Sequence, residues 1–290
     1  MRRWMLAAVV AGVAQGAQAA DLPDLSDLPV LRGGITDGLS HSTVNWQGAY
    51  VGGQVGYSSG TMDFGGASKS LTDFIFRNTN LQDVTTNVSL LGKAHPGGTS
   101  FGGFVGYNAQ WDDVVLGIEA NYSRLSGFSG ASQATYGPIA TGKSCGADSA
   151  VDICTVSLSM IGQASANVTD VLTLRGRAGW AIDNFMPYMF GGLALGRADI
   201  FRSVTPNAQA VHISSDGSIP THRGTLTQFQ TAFDGGNGVF MYGYTAGIGL
   251  EAMLIGGLFA RAEYEYVHFT KIKDIDIQIN TVRAGVGYKF

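Results

Sequence analysis

The last ten residues, TVRAGVGYKF, alternate without interruption: Val282, Ala284, Val286, Tyr288 and Phe290 are apolar or aromatic, and Thr281, Arg283, Gly285, Gly287 and Lys289 are polar or small. Period-two alternation marks a β-strand whose two faces meet different surroundings. The final residue is itself aromatic, so the apolar face needs a partner other than water.

Related strand units recur along the chain. GGQVGY at 52–57 and GGFVGY at 102–107 repeat one another, and glycine-aromatic segments return as RAGWA, YTAGIGL and RAGVGYKF. None is followed by a helical period, which excludes a phosphate-binding glycine loop, since that needs a strand, the loop and then a helix. Alternation predicts eight strands, at 46–59, 99–111, 114–126, 168–181, 187–201, 239–254, 258–270 and 276–290. Connections at 112–113, 182–186 and 255–257 are tight, whereas 60–98, 127–167 and 202–238 are long, with a short one near 271–275.

Hydrophobic residues make up 45% and charged residues 14%, yet the most apolar window, AGIGLEAMLIGGLFARA, contains Glu251 and Arg261. A membrane helix needs roughly 20 consecutive apolar residues. Low charge must therefore come from strands in which apolar residues are diluted by alternation. The N-terminus, MRRWMLAAVVAGVAQGAQA, joins two arginines, a short apolar core and the small-x-small triplet Ala17-Gln18-Ala19, the pattern of a secretory signal over 1–19. Residues 20–45, acidic and punctuated by proline, read as a flexible periplasmic leader before a barrel at 46–290. Losing Arg2 and Arg3 moves the net charge from −4 to −6, which argues against nucleic acid as a partner.

Export, tight turns at one end and long connections at the other predict an all-β fold: an eight-stranded antiparallel up-and-down transmembrane β-barrel with long extracellular loops and short periplasmic turns. Trp46, Trp111, Trp180, Tyr188, Tyr288 and Phe290 fall beside the short turns or chain ends and are expected to form a periplasmic aromatic belt. Tyr57, Phe101, Tyr122, Tyr242, Tyr244, Tyr264 and Tyr266 mark the other interface. The apolar face of the last strand then meets lipid, and its backbone pairs with the first strand so that no edge lies in hydrocarbon.

The alternate faces must be internal. They carry Glu119, Arg175, Arg177, Glu251, Arg261, Glu263, Glu265 and Arg283. Eight strands enclose a space that side chains can fill, so an ion-paired, hydrated network with at most a narrow pathway is expected. A soluble lipocalin-like barrel would have an apolar interior instead. FGGLALGRAD fits either register. Glycines such as Gly52, Gly56, Gly247 and Gly285 are expected to make room for the arginines.

Few residues suggest chemistry. Cys145 and Cys154 flank a short polar loop and read as a disulfide staple after export; a lone cysteine pair lacks the ligands of a zinc site. Glu263 and Glu265 share a strand face, as paired hydrolytic carboxylates could, but Arg261 beside them favours ion pairing. The five histidines, His41, His95, His212, His222 and His268, show no metal-ligand spacing. His212 and Ser214 could place imidazole and hydroxyl on one face, with no evident orienting acid. No catalytic residue, metal or cofactor is expected.

At WQGAYVGGQVGY, RGRAGWAIDNFMPYMFGGLALGRAD and RAGVGYKF, and in the leader AADLPDL, the sequence resembles the outer-membrane β-barrel proteins of alphaproteobacteria: the opacity-like, immunogenic surface-antigen and small-porin group. The resemblance implies the fold and the cell outer membrane but says little of activity, because such barrels host many functions; the leading expectation is a non-enzymatic structural envelope component or a narrow porin. The apolar face of the last strand takes outer-membrane lipid as a partner, and the C-terminal strand is expected to be read by the barrel assembly machinery. Loop-mediated binding of haem or a host surface is the alternative and a lipid-modifying enzyme the third; no motif identifies the extracellular ligand.

Overall fold

A computed structural model describes residues 44–77, 89–144, 153–213, 222–225 and 230–290. The expected signal, nearly all of the leader, and Cys145 and Ser214 lie outside the described residues.

Eight long strands pair antiparallel in a closed circuit. They are β1 (Gly48–Asp63), β3 (Gly97–Trp111), β4 (Val114–Ser126), β6 (Ile153–Trp180), β7 (Phe185–Ile213), β9 (Ala232–Met253), β10 (Leu258–Ile272) and β11 (Ile275–Lys289). Each pairs with the next, and β11 returns to β1 from Tyr50↔Lys289 to Asp63↔Asp276. The wall thus has no open edge, as a hydrocarbon surround requires. All eight expected strands are present.

The long connections differ from expectation, and 60–98 carries the short β2 (Lys93–Ala94) paired to β1. Residues 127–167 contain β5 (Ser129–Ser144) and the first half of β6, while 202–238 contain the end of β7, β8 (His222–Thr225) and the start of β9. β6 and β7 run 28 and 29 residues, about 90 Å at a rise of roughly 3.3 Å, where a bilayer needs about 9–11 residues. The wall therefore continues past the membrane as a sheet, with β5 on the outer half of β6 and β8 on that of β7. Register shifts at Val168/Asp170, where β6 carries the extra residue, and opposite Ala198/Ile200, where β9 does, lie beside one another where the extension begins. In β6 the inward parity changes there, from Val171, Thr173 and Arg175 to Val168, Ala166 and Ala164. One extra residue per bulge is the reason, and it breaks the alternation on which a sequence reading relies.

Sidedness follows the alternation through the membrane zone. Val55, Ile118, Leu174, Leu193, Ile248 and Val282 face outward, and strand β7 settles its register with Phe190, Ala194 and Ala198 inward and Met189, Leu193 and Leu195 outward. At the short-turn rim Trp111, Trp180, Tyr288 and Phe290 are exposed, but Trp46 (1%) and Tyr188 (5%) are buried and do not join that belt. Trp46 packs against Val115, Ala181 and Met186 inside the mouth, and its amide is held by Gln110 Oε1 at 2.6 Å.

The inward glycines receive rings. A Cβ at Gly52 would lie 2.2 Å from Phe104 Cζ, at Gly247 2.4 Å from Phe190 Cζ and at Gly249 2.4 Å from Tyr188 Cζ. The expectation that glycines make room for arginines is thus corrected at Gly52 and Gly247, while Gly56 does abut Arg283 Cβ at 2.8 Å and Gly285 lies beside Gln54 and Phe104. Aromatic side chains are too broad to pass a Cβ on the facing strand, so glycine is what admits them.

Beyond the membrane zone an apolar core fills the extension, including Met62, Phe64, Phe128, Met160 and Phe269. Helix α1 (Lys69–Ile75) lies over it. Arg202 on β7 ties this cap together: it donates to Asp234 Oδ2 (2.8 Å), Ser70 Oγ (2.9 Å) and the carbonyls of Ala67 and Lys273.

Two outcomes follow for unfolding from lipid vesicles. Gly249→Ala is expected to lower stability by about 1–3 kcal/mol through overpacking against Tyr188, read as a lower urea midpoint. The Lys273 ammonium and then the Arg202 guanidinium, both hydrogen-bonded to Asp234, hold its carboxyl below the ordinary aspartate value. A depressed carboxyl stabilises fully at neutral pH and loses that contribution as pH falls below the ordinary range near 4. Protease access to the cap is thus expected to rise on acidification in the parent, and to be high and less pH-sensitive in Asp234→Asn.

Candidate functional site

The barrel interior gathers the charges that alternation turns inward. Glu119 comes from β4, Arg175 and Arg177 from β6, Glu251 from β9, Arg261, Glu263 and Glu265 from β10, and Arg283 from β11. Every one of these side chains is at most 4% exposed. Cross-strand register brings them to one level, with Glu119 opposite Arg175, Arg261 opposite Glu251 and Glu263 opposite Arg283.

Glu119 is the hub. Its Oε1 accepts from Arg175 Nη2 (2.5 Å) and Arg261 Nη1 (3.1 Å), and its Oε2 from Arg261 Nη2 (2.8 Å), Arg177 Nη1 (3.3 Å) and Tyr50 Oη (2.8 Å). Arg261 also grips Glu251 through Nε (2.9 Å) and Nη2 (2.6 Å). Arg177 Nη2 lies 2.9 Å from Glu251 Oε2, an ion pair without good hydrogen-bond geometry. Glu263 accepts from Arg175 Nη2 and Arg283 Nε, both at 2.6 Å, and from the Tyr188 hydroxyl. Glu265 accepts from Arg283 Nη1 (2.8 Å) and Thr245 Oγ1 (2.9 Å). Four carboxylates and four guanidiniums balance, which is what permits ions to stay charged away from bulk water.

Aromatic faces complete the surroundings of three arginines. Arg261 lies 3.7 Å over Phe104, Arg175 3.9 Å over Phe190 and Arg177 4.0 Å over Tyr188. A guanidinium is weakly hydrated and flat, so a ring covers it while its edge donates to carboxylates. These rings are the ones seated on inward glycines, and they were missed by sequence reasoning. Tyr50 was legible: Val51, Val55 and Tyr57 point outward, so Tyr50 must point in. Tyr188 and Phe190 were not, because β7 is apolar on both faces near the rim.

Above the ions, Gln54 joins Asn121 (2.8 Å) and Ser123 (3.0 Å), and Ser58 meets Thr281 (2.9 Å). Below them Tyr50, Phe104 and Phe259 pack together, followed by Trp46 and Met186 at the mouth. Glu263 and Glu265 are both engaged by arginine, so neither carboxylate is free to act as an acid or base. Among the described residues no group of three or more His, Cys, Asp or Glu side chains could hold a metal ion. Cys154 has its backbone in β6, opposite Lys143 and His212; the expected disulfide to Cys145 and the His212–Ser214 pair lie outside what is described.

A family model for the outer membrane protein beta-barrel domain matches residues 5–290. The chain is 26% identical over 259 residues to a 31 kDa outer-membrane immunogenic protein of Brucella melitensis, covering 86% of this chain and 85% of that one. It is also 26% identical over 211 residues to a 25 kDa outer-membrane immunogenic protein of Brucella canis, covering 70% of each. Among solved structures it is similar to Neisserial surface protein A, with a TM-score of 0.34 and 14% identity over 83% of this chain and 97% of that one.

The hub position makes a directional prediction. Glu119→Ala leaves Arg175, Arg177 and Arg261 with one fewer carboxylate in a buried interior. Removing one partner of a buried ion pair costs about 3–5 kcal/mol. A large fall in the urea midpoint is expected, and a shift no larger than that of an exposed control such as Lys93→Ala would remove Glu119 from the hub.

Proposed function

The chain belongs to the family of outer-membrane proteins built on a β-barrel domain, and from that premise we propose that it is a closed barrel that anchors a surface-exposed β-sheet, a structural envelope component that does not pass solute. The short-turn rim faces the periplasm and the extension rises from the cell surface.

One observation carries the closed-barrel reading. The interior is filled in successive layers: an aromatic plug of Tyr50, Phe104 and Phe259, the ion network, the amide and hydroxyl layer around Gln54 and Asn121, and the apolar core of the extension. A porin needs a hydrated lumen, which larger barrels provide. Here a permeating ion would have to displace side chains that hold one another by several charge-assisted hydrogen bonds. The narrow-porin alternative is the weaker one on this ground.

A second reading, surface binding, is favoured by the extension itself. Strands of 28 and 29 residues hold their outer halves well clear of the headgroups, a costly construction if the barrel served only as a wall component. The same reading takes outer-membrane lipid as the partner of the outward apolar face. It also takes the barrel assembly machinery as the reader of β11, beside which Phe290 is exposed and packs on Tyr288.

Planar-bilayer recording separates the closed barrel from the narrow porin. The folded wild-type protein is expected to give no reproducible conductance steps; steady single-channel openings, altered in Arg261→Ala, would make it a porin.

A further inference from the structure

Beyond the membrane zone the outward face of the extension carries no charge across two neighbouring strands. No Asp, Glu, Lys or Arg occurs from Ile153 to Thr169 of β6 or from Ser129 to Gly142 of β5. A groove of about 320 Å³ crosses this face from β5 over β6 to Phe201 of β7, a size within the roughly 300–1,000 Å³ of small-ligand clefts. Two cross-strand rows build it. Gln133 stands opposite Gln163, and the adjacent row runs from Ala131 through Ser165 to Phe201. Gln163 lies about seven residues beyond Asp170, about 20 Å along the strand at roughly 3.3 Å per residue, which carries the glutamines clear of the headgroups.

We infer that this groove binds a neutral saccharide, its C–H face stacked on Phe201 and its hydroxyls bridging the amides of Gln133 and Gln163. The inference rests on the surface-binding reading of the extension and names the ligand class for it.

Charge and hydrogen-bonding capacity select the occupant. The side chains of Gln133, Gln163 and Ser165 have no hydrogen-bond partner among the described residues. Each carboxamide offers two donors and an acceptor, and a hydroxyl both gives and takes, so a row of sugar hydroxyls matches the row of amides. An anionic or cationic ligand finds no counter-charge in the groove, and a wholly apolar one would cover the amides without pairing them, which costs free energy.

Phe201 supplies the apolar half. It is 46% exposed, and Phe233, opposite Ser203 on β9 and therefore diagonal to it on the same face, is 74% exposed. Rings at the membrane interface are explained by the belt they join; these two stand on the extension, where water is the alternative neighbour. A flat ring in that setting is a stacking surface. Gly235, opposite Phe201, leaves the ring room: a Cβ there would lie 3.6 Å from Phe201 Cδ2.

Saturation-transfer NMR of the full protein in lipid nanodiscs tests the assignment. Maltotriose and tri-N-acetylchitotriose are the neutral probes, and a sulfated disaccharide is the anionic one. Saturable binding of a neutral probe is expected, weakened about fivefold or more in Gln163→Ala and in Phe201→Ala, as loss of one contact implies. No saturable signal from either neutral probe, or unchanged binding in either variant, overturns the proposal. Equal or tighter binding of the sulfated disaccharide overturns the neutral choice. Heat-dependent gel mobility reports whether each variant is folded. If Phe201→Ala does not fold, Gln133→Ala combined with Gln163→Ala decides, unchanged binding again overturning the proposal. Labelling of Gln163→Cys on intact cells by a membrane-impermeant maleimide, with the parent as control, separates the two readings. Labelling without saccharide binding overturns the saccharide and leaves the surface extension standing; absence of labelling overturns both.

Discussion

Glu119 sets the condition under which the rest of the barrel can exist. Burying four arginines among eight tightly paired strands would be prohibitive unless each guanidinium found carboxylate oxygens on other strands, and Glu119 alone meets three of them. The resulting bonds run across the lumen from β4 to β6 and β10. They resist sliding of strands past one another, because a one-residue slip would turn every charge toward lipid. An ion network of this kind contributes less as net stability than as a fixed register.

That network depends on shape as well as charge. Phe104, Tyr188 and Phe190 cover the faces of Arg261, Arg177 and Arg175, and the rings fit only because Gly52, Gly249 and Gly247 offer no Cβ to meet them. Glycine in strands is usually a liability. Here it converts the inner wall into sockets, so that rings, guanidiniums and carboxylates stack inward in that order. The chain's 42 glycines are in part the cost of an interior filled by large side chains.

The bulges near Thr169 and Asp199 separate two regimes of the same strands. Below them one face meets lipid and the other the ions. Above them, the outer halves of β6 and β7 and the outer ends of β1, β10 and β11 enclose an apolar core capped by α1 and Arg202. The parity change lets β6 serve a membrane barrel and a surface sheet without ending.

Alternation, with the placement of short and long connections and of aromatic residues, determined a great deal: eight strands, their sidedness, the eight inward charges and the membrane setting were legible because lipid on one face and ions on the other impose a strict period of two. Three things were decided only in the assembled wall. Residues 127–167 and 202–238 are polar with the period broken at bulges, so they read as loops; their described parts are largely strand because neighbouring backbones already stand in place to pair with them. Trp46 and Tyr188 read as belt residues because aromatic rings suit an interface, yet the barrel mouth offers Trp46 a pocket and the network offers Tyr188 a carboxylate. Which carboxylate meets which arginine was likewise invisible, since a sequence records the face on which a charge stands but not the distance across a lumen that closure alone creates.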